Sequence, residues 1–168
     1  MLLAFVSTIG IAANSKSPTG GKDKTYYLLN ETKLCIILDF KNARINKLPY
    51  EAWNDVDGDK IIQRWTRSVI SFFNQKQDLI APIDCVNTGE KYDLLIKITK
   101  VDPDGETYGK IFLKNHISGD VMVSDDINAN GEDEDDGFEQ AWNETSEKFA
   151  KKIVKFISKY TGTDKKKK

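Results

Sequence analysis

Apolar and polar residues alternate with two different periods along this chain, and the switches between them mark its elements. From 33 to 41, Leu34, Ile36, Leu38 and Phe40 fall on one face and Cys35, Ile37, Asp39 and Lys41 on the other. That alternation predicts a strand, most deeply buried at its start. Residues 26–29 predict a short edge strand before it, and 42–50 continue extended until Pro49 breaks the run. Over 59–74 the period changes. Ile61, Ile62, Trp65, Val69, Phe72 and Phe73 recur at three- and four-residue steps, with Gln63, Arg64, Arg67 and Ser71 opposite. This is the pattern of an amphipathic helix. Asp57 and Asp59 suit its positive end, and Pro82 lies beyond its finish.

Period two returns over 92–101, where Tyr92, Leu94, Ile96 and Ile98 alternate with Asp93, Leu95, Lys97 and Thr99. Asp102-Pro103-Asp104-Gly105 is a turn sequence, with Pro fixing φ and Gly accepting positive φ. A partner strand over 107–117 completes an antiparallel hairpin. Gly119 leads to a short strand at 121–123, followed by an irregular acidic stretch over 125–136. The last element has the clearest stripe: Phe138, Trp142, Phe149, Ile153, Phe156, Ile157 and Tyr160. Acids precede this helix and lysines crowd its end, as the dipole favours, and Gly162 stops it. The order predicts an α+β fold: a mostly antiparallel sheet with two amphipathic helices packed on one face, a two-layer sandwich. Trp65 and Trp142 belong to its core, whereas Trp53 lies outside either stripe and is free to be exposed.

The start of the chain has a different character. Leu2, Leu3, Ala4, Phe5, Val6, Ile9 and Ile11 form an uncharged apolar run, followed by Ala12, Ala13, Asn14 and Ser15. The run is shorter than the roughly 20 residues that span a bilayer. It has the apolar and small-residue parts of a secretory signal peptide, without a preceding Lys or Arg. The other reading of the run is a buried N-terminal strand or helix. A start codon placed upstream would explain the missing charge, and so would a weak signal. The organisation is then a signal peptide over 1–15, a flexible mature N-terminus over 16–24, a single α+β domain over 25–162 and a solvated Lys-rich tail over 163–168. About 150 residues remain after export, enough to bury roughly 70 % of the unfolded surface. The product is expected to be periplasmic or secreted, with no stable membrane insertion after signal cleavage. Cys35 and Cys85 are the only cysteines. In an oxidising compartment they could form one disulfide, closing a loop of about 50 residues worth roughly 4 kcal/mol. The other reading is two buried thiols acting as small apolar residues.

Composition narrows the functional classes more than it selects one. The chain is 39 % hydrophobic and 30 % charged, with a formal net charge of −1. It has no global electrostatic drive toward nucleic acid or anionic lipid. His116 is the only histidine, no zinc-ligand spacing surrounds it, and no Gly-x-Ser-x-Gly elbow or Gly-rich phosphate loop is present. No catalytic residue and no resident cofactor is expected. Weak calcium is the one metal the spacing allows. Asp126, Asn128, Asn130 and Glu132, with Gly131 between, match the first half of a calcium loop; Asp133 and Gly137 then break the pattern. Such a half-loop would bind at about 10⁻⁴ to 10⁻³ M. The bland reading is a self-repelling acidic loop. The acidic turn Asn54-Asp55-Val56-Asp57-Gly58-Asp59 has a simpler use in capping the first helix.

Leu38-Asp39-Phe40-Lys41-Asn42-Ala43-Arg44-Ile45 resembles the first strand of a group of small exported proteins of unknown function from Gram-negative bacteria. Tyr92-Asp93-Leu94-Leu95-Ile96-Lys97-Ile98, with Val101-Asp102 and Gly105, resembles their central hairpin. Members are similar in architecture to the N-terminal domain of the Tol translocation protein and to the periplasmic part of the curli secretion channel. The acidic stretch before the last helix departs from that group. The resemblance implies assembly or binding rather than catalysis. The expected function is a non-enzymatic binding or assembly role at the cell envelope, with an envelope protein or ligand as partner. The alternatives are a hydrolase with a carboxylate site and a weak calcium-dependent binding module using the acidic loop. Export with cleavage makes a direct prediction: intact mass of the protein from its native host gives a chain beginning between Ala13 and Lys16. A mature chain that keeps Met1 would contradict it.

Overall fold

A computed structural model describes residues 25–53, 56–76, 78–83, 91–131 and 137–162. The first strand, β1 (Cys35–Asp39), runs parallel to β4 (Tyr92–Val101), in register from Cys35↔Asp93 to Asp39↔Lys97. The chain then loops out at 40–43, where Phe40 and Ala43 turn into the core, and rejoins β4 as β2 (Arg44–Ile45). Asn46 and Lys47 both have positive φ, 47° and 70°. That is the conformation of a two-residue hairpin turn, and it brings β3 (Leu48–Pro49) back against β2. Pro49 is part of this outermost strand rather than a break before it, which a strand edge tolerates because it needs no donor there. A 3₁₀ turn (Tyr50–Trp53) leads to helix α1 (Val56–Gln75).

Strand β4 continues into β5 (Thr107–Asn115), and β5 into β6 (Val121–Ala129), all antiparallel. Helix α2 (Phe138–Thr161) ends the domain at Gly162, whose φ of 72° is the left-handed stop expected of that glycine. The six strands form one sheet, ordered β3-β2-β4-β5-β6 with β1 also against β4. The fold is α+β with two helices, as predicted; the sheet is mixed, with β2–β3, β4–β5 and β5–β6 antiparallel and β1–β4 and β2–β4 parallel. The cause is α1: a helix between two strands carries the chain back across the sheet, so β4 returns parallel to β1 and β2.

Three local expectations change with it. Residues 26–29 form turns, not an edge strand; Leu28 is buried and its N–H donates to the Tyr160 carbonyl at 2.9 Å. The second hairpin strand stops at Asn115. The acidic stretch is not irregular from 125 onward, because β6 extends through Ala129. Ile127 and Ala129 are buried on the helix side and alternate with exposed Asp126 and Asn128. Asp125 interrupts that alternation and is held by Lys159 of α2 at 3.2 Å.

The core lies between the helices and one sheet face. Tyr92, Leu94, Ile96 and Ile98 of β4 and Ile111 and Leu113 of β5 are buried there. Trp65 and Trp142 stack at its centre, with centroids 5.4 Å apart and planes 24° apart. Phe149 and Phe40 close around Trp65 at 5.1 and 5.9 Å. The Trp65 indole N–H donates to Thr145 Oγ1 at 3.3 Å. Gly105, with φ of 78°, passes so close to the start of α2 that a Cβ there would lie 2.6 Å from the Trp142 backbone nitrogen. Only glycine fits that turn. Removing the stack should be costly: Trp65→Ala is expected to lose about 3–5 kcal/mol of unfolding free energy in urea denaturation. A loss below about 1 kcal/mol, the range of ordinary surface changes, would mean that the helices are held together by something else.

Candidate binding groove

The residues singled out in sequence do not converge. Asp126 and Asn128 lie on one face of β6, spaced along the strand by roughly 6.6 Å per pair of residues. Asn130 follows the strand and is exposed, and Glu132 lies outside the described residues. The wrapping loop that the calcium spacing presupposes is thus replaced by extended backbone at its first two positions. Asp126 faces Lys110 of β5 at 3.8 Å. In the earlier acidic turn, Asn54 and Asp55 lie outside the described residues, while Asp57 in the first turn of α1 pairs with Lys60 at 3.2 Å.

His116 acquires a partner that its sequence neighbours do not reveal. Its Nδ1 lies 2.9 Å from both carboxylate oxygens of Asp93, on the adjacent strand. The nearby Ser118 hydroxyl donates to Asp120 at 2.7 Å instead, so serine, histidine and aspartate are not assembled in series. Trp65 and Trp142 are core, and Trp53 is half-buried, its ring tilted 54° against Phe138 at 5.3 Å and its N–H donating to the Ile45 carbonyl.

One acidic group was not singled out in sequence. Asp102, Asp104 and Glu106, on the β4–β5 turn, bring carboxylate oxygens within 4.8 Å of one another. Each already has a neighbour in the protein. Asp102 pairs with Lys100 at 2.8 Å, Asp104 accepts the Glu106 N–H at 3.2 Å, and Glu106 faces the Tyr108 phenol. The Glu106 carboxylate, hydrogen-bonded to that phenol, pushes Tyr108 up to about 12, with desolvation adding to it.

The largest concave surface described lies elsewhere, where α1 passes over the edge of β1. It is a groove of about 660 Å³. Ile37 of β1, Leu95 of β4, Ile62 of α1 and Ile83 give it an apolar lining, and Arg67 and Lys41 stand at its rim. Ile37 and Ile83 are 40 % and 62 % exposed, unusual for isoleucine. Ile37 and Leu95 are cross-strand partners, and Phe112 continues their row on β5. Charged neighbours border that row: Asp39, Lys97, Lys110 and Asp126 sit in register across β1, β4, β5 and β6. Among the described residues Arg67 forms no ion pair or hydrogen bond, although it also borders a second depression beside Ile83. Strand β1 has β4 as its only strand partner over Ile37–Asp39 among the described residues, while its start is tied on the other side by the Leu34 N–H donating to the Ile80 carbonyl at 3.1 Å. Cys35 at its start is buried and disulfide-bonded. Cys85, the other cysteine of the sequence, lies outside the described residues.

No protein-family model matches the chain, and no curated protein matches it. Among solved structures it is similar in fold to a Xanthomonas campestris protein assigned to DUF330, a family of unknown function. The two share 14 % identity over 78 % of this chain and 85 % of that one, with a TM-score of 0.49. It is also similar to an uncharacterised protein at 11 % identity, over 80 % of this chain and 96 % of that one, with a TM-score of 0.45. No helix among the described residues is long and apolar enough to cross a membrane.

The Tyr108–Glu106 contact makes a pH prediction. A raised phenol pKa means that the folded state favours the neutral ring. Its contribution to stability is complete below pH 10, the ordinary value, and is lost as pH rises toward about 12. Glu106→Gln should bring the Tyr108 titration, followed by ring carbon NMR, back toward 10. An unchanged titration would assign the shift to desolvation and the neighbouring Asp102 and Asp104 charges instead.

Proposed function

We propose that this protein is an exported, non-enzymatic binding module of the cell envelope, and that the α1–β1 groove takes an apolar, acid-bearing segment of a partner protein. The observation that carries this reading is the groove itself: exposed apolar side chains beside the edge of β1 at Ile37–Asp39, with Arg67 making no ion pair among the described residues. Extended segments bind such edges through their main chain while alternate side chains enter apolar pockets. An arginine at the rim selects a carboxylate by charge-assisted hydrogen bonding. Export is supported by the apolar run at 2–11 and by the disulfide at Cys35, a bond that persists in oxidising compartments. The resemblance to small exported proteins supports the same role. Asp39 is the one carboxylate among the described lining residues, which favours binding over a paired-carboxylate hydrolysis.

Site-specific photocrosslinking in the native host tests this. A photoreactive residue at Ile37 is expected to trap a defined envelope protein, whereas one at Lys114, away from the groove, does not. The trapped peptide should be apolar with an acidic residue, and Arg67→Glu should reduce the adduct by about tenfold or more, the loss of a charge-assisted contact worth roughly 1.5–3 kcal/mol. Equal adducts from both positions, or an adduct indifferent to Arg67→Glu, would refute the assignment.

A further inference from the structure

The near-zero net charge conceals a sharp segregation. Residues 120–147 contain eleven acids and no lysine or arginine, whereas residues 148–168 contain nine lysines and one acid. Helix α2 spans that boundary. Its 24 residues extend about 36 Å, with Glu139, Glu144 and Glu147 in its first half and Lys151, Lys152, Lys155 and Lys159 in its second, while Asp125 and Asp126 of β6 border the lysine end. Lys148, just before mid-helix, and Lys152, Lys155 and Lys159 in the C-terminal half recur at four-, three- and four-residue steps, which places them on one stripe. The last three border a shallow cavity of about 180 Å³ against β6. Lys159 is held by Asp125, but Lys152 and Lys155 are exposed and make no ion pair among the described residues.

A second feature sits at the same end. The 26–29 turn is strapped to α2 by the Leu28–Tyr160 hydrogen bond. Its neighbours Tyr26 and Leu29 are 40 % and 58 % exposed. Both lie beside the helix stop: a Cβ on Gly162 would be 3.1 Å from Leu29 and 3.6 Å from Tyr26. The described chain therefore enters and leaves the fold at one corner, from which the sequence continues at one end to Lys165–Lys168. Exposed lysines on the same end of the fold as an exposed tyrosine and leucine match a lipid interface: phosphate headgroups meet the cations, and an amphipathic ring and an aliphatic chain enter the boundary. An acidic protein partner would use the lysines but leave Tyr26 and Leu29 unexplained.

We propose that the C-terminal end of α2, with Lys152, Lys155 and Lys159 on the same end of the fold as Tyr26 and Leu29, is a docking surface for an anionic lipid bilayer. Binding is peripheral and reversible. It does not depend on the groove, which lies on the α1 side.

The test is co-sedimentation of the mature protein with phosphatidylcholine vesicles, with and without phosphatidylglycerol. Binding is expected only to the anionic vesicles and should weaken as salt rises. Each lysine near an anionic surface is worth roughly fivefold. Lys152→Gln with Lys155→Gln should therefore lower the partition coefficient by roughly 25-fold. These side chains are exposed, so circular dichroism should stay unchanged. Tyr26→Ala with Leu29→Ala should weaken the binding that persists at high salt. Arg67→Glu should leave the lysine dependence intact, which separates this proposal from the groove. Equal binding to both vesicle types, no binding to anionic vesicles, or indifference to the lysine substitutions would overturn it. So would displacement by a DNA oligonucleotide at equal phosphate concentration, which would mark a general polyanion site. Self-association at low salt that accounts for the sedimentation would overturn it as well.

Discussion

Two indole rings from opposite halves of the chain meet at the centre of the fold, and the remaining elements are positioned around that contact. Trp65 comes from α1 and Trp142 from α2, and both are essentially without solvent exposure. Burying one such ring removes about 150–250 Å² from water. At about 25 cal/mol/Å² that is roughly 4–6 kcal/mol per ring. The stack fixes one helix against the other, and the pair then covers a single face of the sheet. The contact tolerates a defect: the Trp142 indole N–H is buried without a hydrogen-bond partner. Leaving a donor unpaired costs about 1–3 kcal/mol, less than the ring gains. Thr145 satisfies Trp65 and accounts for its own hydroxyl by donating to the Trp142 carbonyl at 2.7 Å. Only one of the two indoles could be served by that side chain.

Elements whose side chains repeat a strict period were legible in the sequence. The stripe from Phe138 to Tyr160 predicts α2 nearly to its ends, and the alternation over Tyr92–Val101 predicts β4 at both ends. Pairing was less legible. Nothing local to Cys35–Asp39 says whether its partner runs parallel; that follows from α1 crossing the sheet, a property of the whole path. Strand β6 was hidden for a different reason. Asp125 faces the helix side, where an apolar residue is expected, and its cost is offset by Lys159, 34 residues away. The 26–29 turn looked like a strand because Leu28 is apolar, but its burial comes from docking onto the end of α2.

The candidate groove left a faint trace in the same patterns. Ile37 and Leu95 are apolar members of the two predominantly polar faces, on β1 and on β4, and each alone is unremarkable. Their register brings them side by side, with Phe112 next in the row. Sequence spacing cannot report such a juxtaposition, because it depends on the parallel pairing. The calcium spacing meets the converse constraint: Asp126 and Asn128 have the right identities and intervals, but the ladder to β5 holds them extended, and Glu132 lies outside the described residues. Hydrogen bonding along a sheet fixes backbone shape before side chains can gather around an ion.

Charge is distributed to suit a sheet with one uncovered face. Lys97 and Lys110 lie in register between Asp39 and Asp126, so the exposed face carries opposite charges in one row rather than a block of one sign. Lys97 also sits over the Phe112 ring at 5.9 Å, shielding part of the apolar row. The outer strand β6 presents Asp125 and Asp126, inward and outward charges of the kind that discourage edge-to-edge pairing. The groove has no such protection at Ile37, where an isoleucine stands exposed at the other side of the sheet. The two candidate surfaces thus use different physics on opposite flanks. One offers apolar area and a strand edge between α1 and β1; the other offers cations between α2 and β6. Because the helices separate them, filling one leaves the other open, and a partner could be held in the groove while the basic corner rests on a bilayer.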